Sequence, residues 1–458
     1  MTHSTRFYYI WASIFFIILG LLFPSVYTGL FISFVLACAT FRDEKLGIAY
    51  LLLFIPMRPF LVAFNSGLKF IGLFIIIALL VRLLLQYRNN ISKLFSFRYF
   101  EILYFIFCLF GAGVGLLNGV SIIAIAMQLH TLLLFYFLYY IVSRITIQHE
   151  DITFFAKITF IASSIISVQG LIEKLSLRTI LLPEAWKDLV LAPTNKIRIY
   201  GMAGGPNELA LYLTLALLIS LYVLQHVSGK MKYVTYIGLT LIATTLWLTY
   251  SRGAFLTVIV FGLIYLCIHR KIPIWRSLLV ISLLSSLCAV GISKMTNYLE
   301  GDQVGVKRFT EALSEDTVEL SKQDGRIYYV KKAVEIFQDK PITGYGFGTF
   351  GDAATQTFSS PIYKKYEITW NFYSDNQYIQ ILAETGIIGV LLCAGFTFGF
   401  LSLLWKYRRK VPFAPLTLYL IVGAIIGSAF YNILENASFM MYFFLTAGYI
   451  QHATKKSY

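Results

Sequence analysis

The chain has 458 residues, of which 58% are hydrophobic and 13% are charged. A soluble domain carries roughly 25% charged residues, so the composition excludes an ordinary soluble globular protein. The formal net charge of +15 is typical of lysines and arginines held at the cytoplasmic face of a membrane protein, and we predict no nucleic-acid partner.

Apolar runs recur from one end of the sequence to the other, and each is long enough, or nearly so, to cross a membrane as a helix. The strands of a membrane barrel show a weaker, alternating pattern. The sequence therefore predicts an all-α polytopic membrane protein of about 14 transmembrane helices, within a range of about 12–14. In chain order, the predicted spans are 8–23, 26–41, 46–64, 68–86, 99–117, 121–142, 153–172, 207–225, 233–249, 253–269, 277–294, 377–404, 412–430 and 437–451.

The links between these spans alternate in charge. One set is basic, as in "SRITIQHED" and "WKYRRKVP", and the other is nearly free of cations, as in "NGVS" and "FYNILENASF". Because short basic loops stay in the cytoplasm, we predict a multi-pass protein of the cell inner (cytoplasmic) membrane with both termini cytoplasmic. Residues 1–458 form one membrane domain in this prediction, with a first outer loop at 173–206 and a large outer loop at 295–376.

The first outer loop ends in the stretch "RIYGMAGGPNELALYL", where a glycine-rich turn follows Arg198 and Pro206 opens the next helix. Free N–H groups at a helix start attract anions, which favours Arg198 and Asn207 as substrate-binding residues. Anchoring of Arg198 to lipid headgroups is the alternative.

Arg252 lies in "TYSRGAFL", a very tight turn between two predicted spans on the outer side. Short outer loops are usually poor in cations. A cation at this position is explained if the protein binds an anion there.

The large outer loop contains "DGRIYYVKKAVEIF", whose apolar spacing predicts a helix with one apolar face. Asp324 is a plausible N-cap, which puts Arg326 in the first helical turn. A cation is disfavoured there by roughly 0.3–1 kcal/mol. Either a bound dianion or a surface salt bridge accounts for it. The nearby "GFGTFG" matches a dinucleotide-binding pattern, but no strand–helix–strand unit surrounds it, so we interpret it as a turn.

The loop re-enters the membrane at "YSDNQYIQILAETGIIG". Asp375 and Asn376 are candidates for capping the following helix, and Asp375 is also a candidate general base. Glu384 lies inside the apolar run, where a carboxylate is costly and suggests a functional site. Packing of Glu384 against a partner such as Arg58, which is also within a span, is the structural alternative. We include Asn376, Arg58 and Glu384 among the candidate substrate-binding residues.

Histidines and cysteines restrict the chemistry that is available on the outer side. None of the six histidines falls in a predicted outer segment, and all five cysteines lie in apolar runs. We therefore predict no disulfide, no metal site and no cofactor, and a base that is a carboxylate or a tyrosine. A metal site built from carboxylates alone is the open alternative, although the sequence has no paired "DxD"-type motif on the outer side. Aromatic residues of the outer loops can stack on sugar rings or lie in the membrane interface; they include Trp186, Tyr363, Tyr366, Trp370, Phe372 and Tyr373.

Four stretches together resemble the O-antigen ligase and polymerase superfamily: "RIYGMAGGPNELALYL", "TYSRGAFL", "DGRIYYVKKAVEIFQDKPITGYGFGTF" and "DNQYIQILAETGIIG". The resemblance implies an all-helical, GT-C-like membrane glycosyltransferase that is metal-independent and inverting. It matches Arg252 and Arg326 to two functional arginines that face the donor diphosphate. Asp375 stands where the ligases, and many polymerases, have a histidine, which weakens the similarity to a ligase.

The resemblance implies a donor glycan on undecaprenyl diphosphate, and with it we predict a polymerase of undecaprenyl-diphosphate-linked oligosaccharide repeat units, such as O-antigen, capsule or exopolysaccharide. Its partners would be the lipid-linked donor and acceptor, membrane lipids and a chain-length regulator. A ligase that transfers the glycan to lipid A-core, a wall polymer or a protein is the alternative. A flippase of lipid-linked oligosaccharide is an alternative of another class, although transporters usually place their polar groups near the midplane in repeated halves.

Overall fold

The computed structural model describes residues 2–189, 191, 193–268, 275–300, 321–323, 325–411 and 414–455. Within these ranges the chain forms α-helices, short 3₁₀ helices and turns, and no β-strand. Nine of the described helical segments are long and apolar enough to cross a membrane, and three further apolar helices are shorter. The prediction of an all-α polytopic membrane protein is confirmed.

Within the described residues, every predicted span overlaps one helix or consecutive helices. The helices of the first half are α1 His3–Leu22, α2 Val26–Arg42, α3 Glu44–Phe54, α4 Arg58–Phe64, α5 Ile71–Gln86, α6 Tyr99–Leu117, α7 Ile122–Val142, α8 His149–Leu175, α9 Glu184–Lys187 and α10 Pro193–Lys196. The others are α11 Pro206–Gln225, α12 Gly229–Leu248, α13 Arg252–Ile268, α14 Trp275–Glu300, α15 Arg326–Asp339, α16 Ala353–Phe358, α17 Gln377–Lys406, α18 Ala414–Ile426 and α19 Ala437–Lys455.

The described chain divides into two compact units. Unit 1 takes its residues from Met1–Gln86, Ile145–Thr310 and Pro412–Tyr419. Unit 2 takes its residues from Tyr87–Arg144, Glu311–Val411 and Leu420–Tyr458. Each unit therefore combines segments that are far apart in the sequence.

Unit 1 is built around α8, which packs against α3, α11 and α12. A buried ion triad joins the ends of three helices: Arg6 donates to Asp43 Oδ2 at 2.8 Å and to Asp151 Oδ1 at 2.6 Å. A buried charge is tolerated only when it is paired. The triad therefore ties α1 to the start of α3 and to the start of α8.

Unit 2 is built around α6 and α17, which pack along each other, and α19, which packs on α7. A glycine face on α6 allows the segment that follows α15 to approach closely. Phe347 N donates to Gly111 O at 2.9 Å, and a side chain at Gly111 or Gly115 would overlap Phe347.

α17 is interrupted at Gly386, whose φ is 56°. The amides that follow the interruption bond outside the helix: Ile387 N donates to Pro341 O at 2.9 Å and Ile388 N to Ile342 O at 3.1 Å. The first turns of α17 thus form a separate short helix, and this half carries Glu384.

The glycine-rich turn 344–351 packs in the interior of unit 2. Gly344, Gly346, Gly348 and Gly351 all have positive φ values, a conformation that glycine adopts without strain. All residues of the turn are buried. The glycines of the "GFGTFG" pattern therefore allow a buried, closely packed turn, in agreement with its interpretation as a turn.

We expect Gly346→Ala to destabilise the protein. The residue has a φ of 91°, and a Cβ atom there would overlap the backbone of Gly115, so the loss should be at least about 1–3 kcal/mol. Gly113→Ala is the matched control, because a Cβ at Gly113 meets nothing within 4 Å. Thermal unfolding in detergent measures both; equal melting temperatures for the two variants would contradict this account of the turn.

Candidate functional site

In unit 1, the predicted residues Arg198 and Asn207 are hydrogen-bonded to each other. Arg198 is buried; its Nη2 donates to Asn207 Oδ1 at 2.7 Å and its Nε to Thr249 O at 2.8 Å. Ser251 Oγ also donates to Asn207 Oδ1, at 3.1 Å. These bonds join the end of the 173–206 segment to the turn between α12 and α13, two stretches that the sequence analysis singled out separately.

The turn that carries Arg198 is held by Glu173, a residue that sequence reasoning missed. Its fully buried carboxylate accepts from Gly201 N at 2.7 Å, from Tyr200 N at 3.3 Å and from Arg178 Nη1 at 2.5 Å. Paired charge and backbone donors together satisfy the buried carboxylate. A glutamate near the end of an apolar run, with an arginine five residues later, was the available signal.

Arg252 is the first residue of α13, and its side chain is exposed. The turn before it is as tight as predicted, since α12 ends at Leu248. Tyr250 has a left-handed φ of 50°, and its hydroxyl lies 2.8 Å from Ser293 Oγ. Arg252 thus begins a helix immediately after the buried Ser251.

Arg58 is the first residue of α4 and belongs to unit 1. Its Nε donates to Lys69 O at 3.5 Å, which is the long limit of a hydrogen bond. α4 packs against the 3₁₀ turn Gly201–Ala203. Arg58 therefore lies on a helix that supports the Arg198 turn.

In unit 2, the structure brings Arg326 and Asp375 together. Arg326 Nη2 lies 3.5 Å from Asp375 Oδ2, with the two side chains 43% and 32% exposed. The same nitrogen donates to Phe430 O at 3.0 Å, and the guanidinium lies 5.7 Å from the centre of the Phe430 ring. An exposed cation and a half-buried carboxylate from distant stretches of the sequence are thus neighbours.

Arg326 begins α15, as the apolar spacing predicted. The residue at the N-cap position is Gly325, whose backbone is extended and which provides no side-chain cap. Asp324, the predicted cap, lies outside the described residues. The positive charge of Arg326 therefore stands at the helix end where a cation is disfavoured.

The sequence left open whether Asp375 or Asn376 caps α17, and the structure has Asn376 as the cap. The Asn376 side chain caps α17, accepting from Tyr378 N at 3.0 Å and from Ile379 N at 3.3 Å. Asp375 precedes the cap and has a left-handed φ of 50°, a conformation more accessible to aspartate than to most residues. Its carboxylate lies beside Arg326, and Asn376 is the residue at the N-cap position of α17.

Residues 431–435, which we name the anchor turn, hold the Asp375 segment. Asn432 Oδ1 accepts from Ser374 Oγ at 2.8 Å and from Asn376 N at 3.0 Å, and Asn432 Nδ2 donates to Gly351 O at 2.9 Å. The anchor turn lies in the cation-free stretch "FYNILENASF", to which sequence reasoning gave no role.

Glu384 is buried, with 1% of its surface exposed. Its Oε1 accepts from Thr349 N and Phe350 N, each at 3.2 Å, and its Oε2 accepts from Gln380 Nε2 at 3.3 Å. These contacts bind the glycine-rich turn 344–351 to the first half of α17. A role of Glu384 in substrate binding stays a prediction.

Two further buried acids, Asp352 and Glu435, were not identified from the sequence. Asp352 accepts from Gly348 N and Thr355 N, both at 2.7 Å. Burial raises its pKa, although hydrogen bonds from Thr355 and the Glu384 side chain oppose the shift. Burial, with the negative charge of Asp352, raises the pKa of Glu435 to about 7.

The aromatic side chains of unit 2 include a buried set and a half-buried pair. Tyr363 and Phe372 are buried, and Phe372 stacks on Tyr329 with ring centres 4.2 Å apart. Tyr328 and Trp370 are half-buried and stack at 5.2 Å. Packing of these rings on a sugar ring stays a prediction.

In the described part of the chain, no group of three or more histidine, cysteine, aspartate or glutamate residues is placed to hold a metal ion. Metal independence stays a prediction.

These observations define a class of protein, a multi-pass helical membrane protein with paired basic and acidic groups at helix starts. Residues 237–394 match the family model described as O-antigen ligase. The match confirms the resemblance to the O-antigen ligase and polymerase superfamily and supports a membrane enzyme of that type. None of the curated proteins compared with the chain matches it.

The matched segment covers part of the candidate site. Arg252, Arg326, Asp375, Asn376 and Glu384 lie within residues 237–394. Arg58, Arg198 and Asn207 lie outside this segment, so their assignment rests on the sequence pattern and on the contacts within unit 1.

We expect Asn376→Ala to lower stability by about 1 kcal/mol, because it removes the N-cap of α17. Asp375→Asn should change stability by less, since an exposed ion pair contributes about 0–1 kcal/mol. Thermal unfolding of the two variants in one detergent measures the difference. A larger loss for Asp375→Asn would return the capping role to Asp375.

Proposed function

We propose that the protein is a membrane glycosyltransferase that polymerises undecaprenyl-diphosphate-linked oligosaccharide repeat units at the outer face of the cytoplasmic membrane. The observation that carries the proposal is the Arg326–Asp375 pair, 3.5 Å apart at the starts of α15 and α17. The O-antigen ligase match at residues 237–394, which includes both residues, supports it.

Asp375 is the proposed general base. The acceptor hydroxyl attacks the anomeric carbon of the donor sugar, and its proton passes to the Asp375 carboxylate as the new C–O bond forms. The bond between that carbon and the diphosphate oxygen breaks, and its electron pair leaves with the diphosphate. A single displacement of this kind inverts the anomeric configuration.

Arg326 is proposed to bind the donor diphosphate. Its planar guanidinium can donate to two phosphate oxygens at once. Because the exposed pair with Asp375 contributes only about 0–1 kcal/mol, replacing the carboxylate by a diphosphate at the guanidinium costs little. In this proposal the Arg326 guanidinium moves from the Asp375 carboxylate to the donor diphosphate, and the carboxylate then accepts the proton of the acceptor hydroxyl.

Arg252 is proposed to bind diphosphate as well. It stands at the start of α13, where a cation is disfavoured by roughly 0.3–1 kcal/mol and where backbone N–H groups favour an anion. Hydrogen bonds to charged groups contribute roughly 1.5–3 kcal/mol each, so a bound diphosphate outweighs that cost. Arg198 and Asn207, which are hydrogen-bonded to each other in unit 1, are proposed to orient substrate phosphate.

The proposed orientation of the protein in the membrane follows from the charge of the links between its helices. Basic links such as "WKYRRKVP" are assigned to the cytoplasm together with both termini, which puts the segments with Arg252, Arg326 and Asp375 outside. A chain-length regulator is a further proposed partner. The same chemistry suits a ligase, whose acceptor is lipid A-core, a wall polymer or a protein.

We expect Arg252→Ala and Arg326→Ala each to reduce chain extension in vitro by at least about a hundredfold, because each removes a donor that stabilises the leaving diphosphate. The corresponding lysine variants should retain intermediate activity, since lysine keeps the charge without the planar fork. Arg276→Ala, at an exposed arginine of α14, is the matched control and should extend normally. Full polymer length with both Arg252 and Arg326 removed would end the catalytic proposal.

Chain extension should continue in excess EDTA, because the proposed leaving-group stabilisation comes from arginine. The measurement is the length distribution of polymer from purified protein before and after chelation. Loss of extension in EDTA that magnesium or manganese restores would contradict the metal-free mechanism.

A third experiment separates polymerase from ligase. Purified protein receives lipid-linked repeat units as its only substrate. A ladder of products means polymerisation. Product that forms only after addition of lipid A-core, a wall polymer or a protein acceptor means a ligase, and neither product means that the glycosyltransferase proposal is wrong.

A further inference from the structure

The anchor turn is hydrogen-bonded to the chain on both sides of Asp375. Several hydrogen bonds connect it to the residues that flank this aspartate. Tyr431 O accepts from Gln377 N at 3.2 Å, and Asn432 Oδ1 accepts from Ser374 Oγ at 2.8 Å and from Asn376 N at 3.0 Å. Leu434 N donates to Gln377 Oε1 at 2.8 Å. The Glu435 carboxylate accepts from Tyr373 OH at 2.8 Å and from Gln380 Nε2 at 2.5 Å. The position of Asp375 therefore depends on this turn.

Glu435 is the ionisable member of the anchor turn, and its surroundings suit a carboxylate. Oε1 accepts from Gln128 Nε2 at 2.7 Å and from Gln380 Nε2 at 2.5 Å. Oε2 accepts from Ala353 N at 2.9 Å and from Tyr373 OH at 2.8 Å. An ionised carboxylate only accepts hydrogen bonds, so all four contacts fit the charged form.

The electrostatic environment opposes that charged form. Glu435 is 8% exposed, and the acidic groups that face it are Asp352, before α16, and Glu384, on α17. Burial and the charge of Asp352 raise the pKa of Glu435 to about 7, whereas the hydrogen bonds from Gln128, Gln380 and Tyr373 lower it. Glu435 therefore changes charge in the neutral range.

We propose that Glu435 is a positioning residue of the transfer site: its carboxylate holds Tyr373 and the first turn of α17, and loss of its charge releases the segment that carries Asp375. This inference rests on the proposed function of Asp375. Glu435 does not touch the reacting atoms in this proposal; it acts through the residues on either side of the base.

The effect of pH follows from the donors around Glu435. Protonation turns one carboxyl oxygen into a donor that faces groups already donating to it, so at least one of the four hydrogen bonds must be lost or reversed. The rate should therefore fall as the pH drops through about 7.

The test compares rate–pH profiles of chain extension for the wild type, Glu435→Gln, Tyr373→Phe and Glu367→Gln. We expect Glu435→Gln to lower kcat by about tenfold to a hundredfold, the cost of a misplaced catalytic group, with an unchanged acceptor KM and without the inflection near pH 7. Tyr373→Phe removes a hydrogen bond that lowers the Glu435 pKa, so the inflection should move to higher pH. Glu367 is exposed in the same unit, and Glu367→Gln should keep the wild-type profile.

The outcomes separate this inference from the function on which it rests. If Glu435→Gln and Tyr373→Phe keep the wild-type kcat and pH profile while Asp375→Asn is inactive, the positioning role is wrong and the proposed function stands. A lower melting temperature with unchanged kcat and profile would likewise overturn it, as a merely structural role. Wild-type extension by Asp375→Asn would overturn both. If Glu435→Gln does not fold, the shift in Tyr373→Phe decides.

Discussion

The left-handed backbone at Asp375 is the constraint on which the candidate site of unit 2 depends. A non-glycine residue in this conformation costs of order 1–3 kcal/mol and persists only where its surroundings over-determine it. Here Asn432 holds the residues on both sides, and Asn376 caps the helix that follows. The Asp375 carboxylate thereby lies beside Arg326, while the Asn376 side chain caps α17.

Buried carboxylates organise the interior behind this surface. Asp352, Glu384 and Glu435 each accept backbone N–H groups from the stretch 348–355. An amide buried without a partner is costly, and a tight glycine-rich turn leaves several amides without helical partners. Acidic side chains supply the missing acceptors, at the cost of bringing negative charges close together. Neutral donors such as Gln128 and Gln380 offset part of that cost.

Unit 1 also has a buried carboxylate that accepts backbone N–H groups of a turn. Glu173 binds the amides of the turn after Arg198, and Arg198 in turn donates to Thr249 O and Asn207. Two helix starts, those of α11 and α13, are connected through one guanidinium and one amide side chain. Arginine suits this task because its fixed fork of donors can satisfy acceptors on two segments at once. These hydrogen bonds hold the backbone at Thr249 and the side chain of Ser251, and Arg252 is the next residue in the chain.

The sequence by itself determined the fold class and the positions of the long apolar helices, because the length and composition of an apolar run are local properties of the chain. It also predicted that Arg326, Asp375 and Asn376 lie at helix starts, because helix starts follow from local spacing. Tertiary structure decided which neighbouring residue caps α17, that Arg198 bonds to Asn207, and that Glu173, Asp352 and Glu435 are buried acceptors. Those outcomes depend on hydrogen bonds between residues that are distant in the chain, and local pattern does not encode which distant acceptor a backbone amide will find.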